Sequence, residues 1–214
     1  MRIAVLISGR GTNLQSLIDA SRIPDYPAEI CLVISNVPSI QGLTRAEAAG
    51  IPAKTIDHRE YAKREIFEDA LQTALDAAKI ELVCLAGFMR LLTDGFVDHW
   101  HDRLINIHPS LLPAFKGIHV HEQVIEAGVR VSGCTVHFVR PAMDDGPIIL
   151  QAAVPVLPTD SPEQLAARVL VQEHRIYPLA VRLIAEGRAR VEGSRVAIDG
   201  ISPVETSFLS PNLD

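Results

Sequence analysis

The sequence predicts an α/β fold, a Rossmann-like doubly wound sheet that is mostly parallel, with antiparallel additions in the C-terminal half. Apolar runs of strand length alternate with helical patterns through the first hundred residues, as in βαβ units. The first run, residues 2–8, is continuously apolar and stopped by glycine, which is typical of a strand buried on both faces. After residue 130 the side chains alternate strictly, which favours an antiparallel hairpin over another βαβ unit.

Each element of the first half follows from its pattern. The predicted strands are 2–8, 29–35, 53–56, 82–87 and 104–108. The predicted helices are 13–20, 42–49, 61–78 and 93–100. Helical spacing in the longest of them predicts an apolar face made of Ile66, Ala70, Ala74 and Ala77. Because ligands bind beyond the carboxyl ends of such strands, residues 8–13, 87–92 and 106–110 are expected to meet on one rim.

The second half predicts two more strands, one long helix and a final hairpin. The strands are 131–139 and 148–156, and the hairpin is 188–200. The helix begins with a capping box, Ser161 to Gln164 with Pro162 in its first turn, and is expected to run to Glu186 with a kink near Pro178. Residues 201–214 read as a loose tail, and residues 1–214 as a single domain.

Composition and charge exclude several classes of function. With 48% hydrophobic and 21% charged residues, the chain of 214 residues is typical of a globular protein. A net charge of −6 argues against a nucleic-acid partner, so an anionic ligand must be held by backbone amides or single arginines. No apolar run is long enough for a membrane span or a signal peptide. The three cysteines lie in strand-like runs without a CxxC pair, which predicts buried, reduced thiols and a cytoplasmic protein.

The segment SGRGTN, residues 8–13, joins the first strand to its helix. Gly9 and Gly11 permit a tight turn, and the helix start offers free N–H groups and a positive dipole end. The segment lacks the third glycine of a dinucleotide fingerprint and the lysine of a P-loop, so a monophosphate is the predicted ligand. A plain strand-to-helix turn is the alternative, and the direction of the Arg10 side chain stays open.

Polar residues end the fifth strand. Asn106 and His108 are separated by one residue, which puts both side chains on one face of an extended chain, where they could bind a developing oxyanion. A carboxylate from the MDDGP segment, Asp144 or Asp145, could orient His108 and favour its charged form. A hydrogen-bonded core pair and an ordinary turn are the alternatives. The His99/His101 and His119/His121 pairs lack a third ligand, so no metal site is predicted.

Four segments in this order resemble the formyltransferases that use 10-formyltetrahydrofolate: SGRGTNLQSLI, LAGFMRLL, INIHPSLLPAFKG and MDDGPII. The resemblance covers residues 2–186. Among these formyltransferases, the sequence resembles in particular the branch of de novo purine synthesis that acts on phosphoribosylglycinamide. It implies transfer of a formyl group from 10-formyltetrahydrofolate, as cosubstrate, to the amine of that ribonucleotide. It also implies a cis peptide bond between Leu112 and Pro113.

The resemblance assigns roles to residues. The implied catalytic residues are Asn106, His108 and Asp144, which resolves the choice between the two aspartates. The implied ribonucleotide contacts are Gly11, Thr12, Asn13 and Glu173. The implied folate contacts are Arg64, Met89, Arg90, Leu91, Leu92, Asn106, Arg140, Pro141, Ala142, Met143 and Asp144. Residues 1–100 would form the phosphate-binding half and 101–200 the catalytic and folate-binding half, in a monomer or homodimer.

Three rival functions are weighed against this expectation. Methionyl-tRNA formyltransferase and formyltetrahydrofolate deformylase share the Asn-x-His and Asp-x-Gly features. The first usually adds a basic carboxyl-terminal domain and the second an amino-terminal regulatory domain, and the sequence contains neither. A non-catalytic module that senses folate or nucleotide could dispense with Asn106, His108 and Asp144. A ribonucleotide formyltransferase is therefore expected.

Overall fold

The computed structural model describes residues 1–200 and residue 210, so the predicted tail lies almost wholly outside the described residues. The strands are β1 Arg2–Ile7, β2 Glu29–Ser35, β3 Ala53–Thr55, β4 Leu82–Leu85, β5 Leu104–His108, β6 Val131–Phe138, β7 Ile148–Pro155, β8 Ala189–Glu192 and β9 Arg195–Ile198. The helices are α1 Thr12–Ser21, α2 Gln41–Ala48, α3 Arg64–Ala77, α4 Asp94–His99, α5 Val120–Glu126 and α6 Pro162–Ala185. No helix in the described part of the chain is long and apolar enough to cross a membrane.

Seven strands form one sheet in the order β3-β2-β1-β4-β5-β6-β7. The pairs from β3 to β5 are parallel, whereas β6 and β7 are antiparallel to their neighbours. The fold class is therefore confirmed. The chain leaves β1 toward β2 and β3 and then returns to the other side of β1 with β4, so the topological switch point lies between β1 and β4, where a ligand site is expected.

Alternate residues of β1 supply two separate cores, one on each face of the sheet. Ile3, Val5 and Ile7 pack in the core that includes α1, α5 and α6, and Ala4 and Leu6 pack in the core that includes α3 and α4. All five side chains are almost completely buried. A strand covered on both faces can be apolar throughout, which is why β1 shows no alternation.

The predicted start of α6 is confirmed, because the Ser161 hydroxyl accepts from the Gln164 N–H and the Gln164 amide oxygen accepts from the Ser161 N–H. The helix continues through Pro178 to Ala185. The two-stranded pairing of β8 with β9 confirms the final hairpin.

Two expectations were wrong, the first of them in part. Helix α3 buries Phe67, Leu71 and Leu75 and leaves Ile66 48% exposed. Of the four residues of the predicted face only Ala74 is buried, so the apolar face is rotated from the predicted one. The larger side chains decide the orientation, because burying them removes more apolar area from water than burying alanines does. Cys31 is only half-buried, since β3 pairs with the carboxyl end of β2 and leaves the amino end, with Cys31, at the edge of the sheet.

Candidate active site

Hydrogen bonds tie the ends of β1 and β4 together at the switch point. The Ser8 N–H donates to the Gly87 carbonyl oxygen at 3.2 Å, and the Met89 N–H donates to the Ser8 hydroxyl at 2.7 Å. That hydroxyl donates in turn to the Asn36 amide oxygen at 2.6 Å, and Asn36 is buried. The loop that begins at Met89 is therefore held on the end of β1, as the expectation of a common rim requires.

The Asn106 side chain is oriented by a residue that the sequence analysis did not single out as a site residue, His137. Antiparallel pairing of β5 with β6 sets the two residues opposite each other, and Asn106 Nδ2 lies 3.3 Å from His137 Nε2. His137 Nδ1 donates to the Phe138 carbonyl oxygen at 2.9 Å, which leaves Nε2 as the acceptor. Burial lowers the pKa of His137 and favours this neutral ring. Among the residues that the structure describes, the other N–H of the Asn106 amide has no partner and is available to a ligand.

His108 is enclosed by oxygen atoms on both sides of its ring. Nε2 lies 2.9 Å from the Phe115 carbonyl oxygen, and Nδ1 lies 3.4 Å from Asp144 Oδ1. The other Asp144 oxygen accepts from the Gly117 N–H at 2.7 Å. Asp145 points elsewhere and pairs with Lys116 at 3.0 Å, so the structure brings Asp144 and not Asp145 to the imidazole.

The loop that carries Phe115 and Gly117 is itself fixed by β6 and β7. The Thr135 hydroxyl donates to the Ser110 carbonyl oxygen and accepts from the Leu112 N–H, and the Gln151 amide donates to the Leu112 carbonyl oxygen. The bond between Leu112 and Pro113 is cis, as the resemblance implies. Thr135 lies opposite His108 in the antiparallel pairing of β5 with β6. This pairing is the signal by which the sequence could have identified Thr135 as a residue that supports the site.

Two adjoining cavities meet at the polar residues. The larger, about 580 Å³, is lined by Met89, Asn106, His108 and His121, and the smaller, about 130 Å³, by Leu92, Asn106, His137, Arg140 and Pro141. Arg90, Leu91, Asn106, Met143 and Asp144 line both. Asn106 and Asp144 therefore stand where a molecule in one cavity would contact a molecule in the other.

Most of the predicted folate contacts border these cavities, and two do not. Ala142 is exposed and outside the cavity walls, and Arg64 lies on the exposed first turn of α3. Met89 and Leu91 are 70% and 59% exposed. Large apolar side chains left in water beside a cavity are typical of an interaction surface, such as the border of a ligand-binding groove.

The predicted phosphate contacts lie at the start of α1. Gly11 has a φ of 70°, in the left-handed region that glycine tolerates, and immediately precedes the helix. Asn13 Nδ2 donates to Glu173 Oε2 at 2.7 Å, which joins α1 to α6. Burial raises the pKa of Glu173. Asn13 Oδ1 is buried and has no partner among the described residues, so a donor on a ligand would satisfy it.

The sequence analysis predicted no metal site at the histidine pairs His99/His101 and His119/His121. His119 has a φ of 57° and precedes α5, whereas His121 lies within α5 and borders the larger cavity. Within residues 1–200, no three His, Cys, Asp or Glu side chains are grouped as metal ligands would be.

The fold and the site together define a class of protein: a Rossmann-like α/β protein whose polar centre lies where two cavities meet at the switch point of the sheet. The formyl transferase family model matches residues 1–181. The chain belongs to this family.

Relatives and solved structures agree with this membership. The chain is 44% identical over 200 residues to phosphoribosylglycinamide formyltransferase of Escherichia coli, covering 94% of each. It is 51% identical over 191 residues to the trifunctional purine biosynthetic protein adenosine-3 of Gallus gallus, of which it spans 19%. Glycinamide ribonucleotide transformylase 1 of Symbiobacterium toebii superposes with a TM-score of 0.90 at 52% identity, over 92% of this chain and 93% of that one.

Proposed function

We propose that the protein transfers the formyl group of 10-formyltetrahydrofolate to the amine of 5′-phosphoribosylglycinamide, giving formylglycinamide ribonucleotide and tetrahydrofolate in de novo purine biosynthesis. Relatives named for this activity match nearly the whole chain. The observation that carries the proposal is the convergence of Asn106, His108 and Asp144 where the two cavities meet.

The two substrates would approach that centre from different sides. The phosphate of the ribonucleotide would lie on the amides of Gly11, Thr12 and Asn13, and Glu173 would accept from a ribose hydroxyl. The folate would lie against the wall formed by Arg90, Leu91, Leu92, Arg140, Pro141 and Met143, with Met89 at its border and Arg64 and Ala142 as outer contacts. Holding amine and formyl carbon in contact makes the reaction effectively intramolecular.

Attack of the amine on the formyl carbon forms a tetrahedral intermediate with a negatively charged oxygen. The free N–H of Asn106 donates to this oxygen, a contribution of about 3 kcal/mol by comparison with other oxyanion donors. His108 donates as well, and its Nε2–H must then be shared between the Phe115 carbonyl oxygen and the substrate oxygen. Asp144 orients His108 and passes the proton of the amine, through water, toward the departing N10 of the folate.

The protein should be assayed for tetrahydrofolate release from 10-formyltetrahydrofolate, spectrophotometrically, with and without phosphoribosylglycinamide. Release that depends on the ribonucleotide supports the proposal. Release without any amine would instead identify a formyltetrahydrofolate deformylase, and no release in either case would identify a sensor module. A single domain over residues 1–214, with a phosphate-binding half (1–100), a catalytic and folate-binding half (101–200) and a tail, and a monomer or homodimer, remain part of this proposal.

A further inference from the structure

Helix α2 contacts the phosphate loop, residues 8–13, through two hydrogen bonds to its backbone. The Gly42 N–H donates to the Gly9 carbonyl oxygen at 3.1 Å, and Arg45 Nε donates to the Arg10 carbonyl oxygen at 2.9 Å. Two successive carbonyl groups of the loop are therefore turned toward α2. Nothing in the sequence pattern connects these residues, which are more than thirty positions apart.

These two bonds determine where the neighbouring amides point. In a planar trans peptide the carbonyl group and the following N–H point in opposite directions. Turning the carbonyls of Gly9 and Arg10 toward α2 therefore aims the N–H groups of Arg10 and Gly11 away from it. Neither N–H donates to a backbone oxygen within the described residues, so both remain available to a ligand beside the free N–H groups at the start of α1.

The contact between α2 and the loop is close and leaves little room for rearrangement. A Cβ on Gly11 would lie 2.7 Å from Gly42 Cα and 3.6 Å from Arg45 Cδ, and a Cβ on Gly42 would lie 2.5 Å from Ile7 Cδ1. The Arg45 side chain is also fixed at a second point, because Nη1 donates to Gln15 Oε1 at 3.1 Å. Its cationic group is thus held beside the loop in one orientation.

We propose that Arg45 is a positioning residue for the 5′-phosphate of the substrate: it holds the Arg10 carbonyl group toward α2, so that the following N–H, that of Gly11, faces the anion. This inference rests on the proposed function and deepens it, since the expected phosphate contacts, Gly11, Thr12 and Asn13, include no residue of α2. Arg45 also places a positive charge near the phosphate in a chain whose net charge is −6.

The test compares two amines, phosphoribosylglycinamide and the same ribonucleoside without its phosphate, in the wild-type protein and in Arg45→Ala. We expect kcat/KM for the phosphorylated amine to fall about tenfold or more, the size of a lost charge-assisted hydrogen bond, through a rise in KM. The value for the dephosphorylated amine and the KM for the folate should not change. Arg45→Lys should remain impaired, because an ammonium group keeps the charge but cannot reproduce the two fixed donors.

Arg22→Ala is the matched control. Arg22 borders the same groove between α1 and α2, about 300 Å³ in volume. Its side chain makes no hydrogen bond within the described residues, and its backbone N–H, which donates to the Ala20 carbonyl oxygen, is kept in alanine, so the substitution should leave all constants unchanged. Equal losses for both amines in Arg45→Ala would reveal a merely structural role and overturn the inference, as would an unchanged KM. Absence of ribonucleotide-dependent turnover in the wild-type protein would refute the proposed function instead.

Discussion

Replacing Asn106 by alanine removes the free N–H donor at the junction of the two cavities. The Asn106 amide is held at 3.3 Å from the neutral His137 ring, so its second N–H is oriented before substrate arrives and needs no rearrangement during the reaction. A donor of this kind contributes about 3 kcal/mol to the transition state, which corresponds to about a 150-fold lower kcat. KM for both substrates should change little, because the oxyanion exists only after attack.

The assay is steady-state tetrahydrofolate release with each substrate varied in turn. The double variant Asn106→Ala/His137→Gln distinguishes the effect of the Asn106 donor from the effect of His137, which orients it. If His137 acts only through Asn106, then His137→Gln slows the wild-type protein but has no further effect once Asn106 is alanine. Near-normal turnover by Asn106→Ala, or a loss expressed only in KM, would refute the assignment of an oxyanion donor.

Three further predictions concern other parts of the site and core. Asp144→Asn should lower kcat by at least about tenfold, because the neutral amide no longer attracts the His108 ring. Asp145 pairs with Lys116 instead, so the Asp145→Asn variant should turn over normally in the same assay. Burial raises the pKa of Glu173, so the folded chain retains its proton where the unfolded chain has lost it, and stability falls as pH rises through that interval. Glu173→Gln should therefore gain in Tm over the wild-type protein as the pH rises past the ordinary glutamate pKa, whereas a constant difference in Tm across pH would contradict this account. Burial raises the pKa of the Cys134 thiol to about 12 and that of Cys84 still further, so iodoacetamide should modify Cys31 first in the native protein, as peptide mass spectrometry would detect.

Local patterns accounted for the elements and for much of the rim. The apolar run of β1, the capping box at Ser161 and the polar pair on β5 each depend on residues close in sequence, and the structure has all three where the patterns predicted them. Helix α3 was the exception, because the predicted spacing competed with that of larger side chains, and the core took the larger ones together with Ala74 alone of the predicted face. Periodicity alone does not rank two overlapping faces by the area that each would bury.

By itself, the sequence determined the fold class, the order of the strands along the chain and the residue types available at the ends of β1, β4 and β5. The resemblance chose Asp144 over Asp145, and the structure agrees, with Asp144 beside His108. The tertiary structure alone decided that His137 orients Asn106 and that Arg45 holds the carbonyl group of Arg10. The physical reason is how far apart along the chain the interacting residues lie. Strand and helix patterns arise from neighbours within one or two turns, whereas these contacts join segments about thirty residues or more apart, which meet only when the sheet and both its cores are assembled.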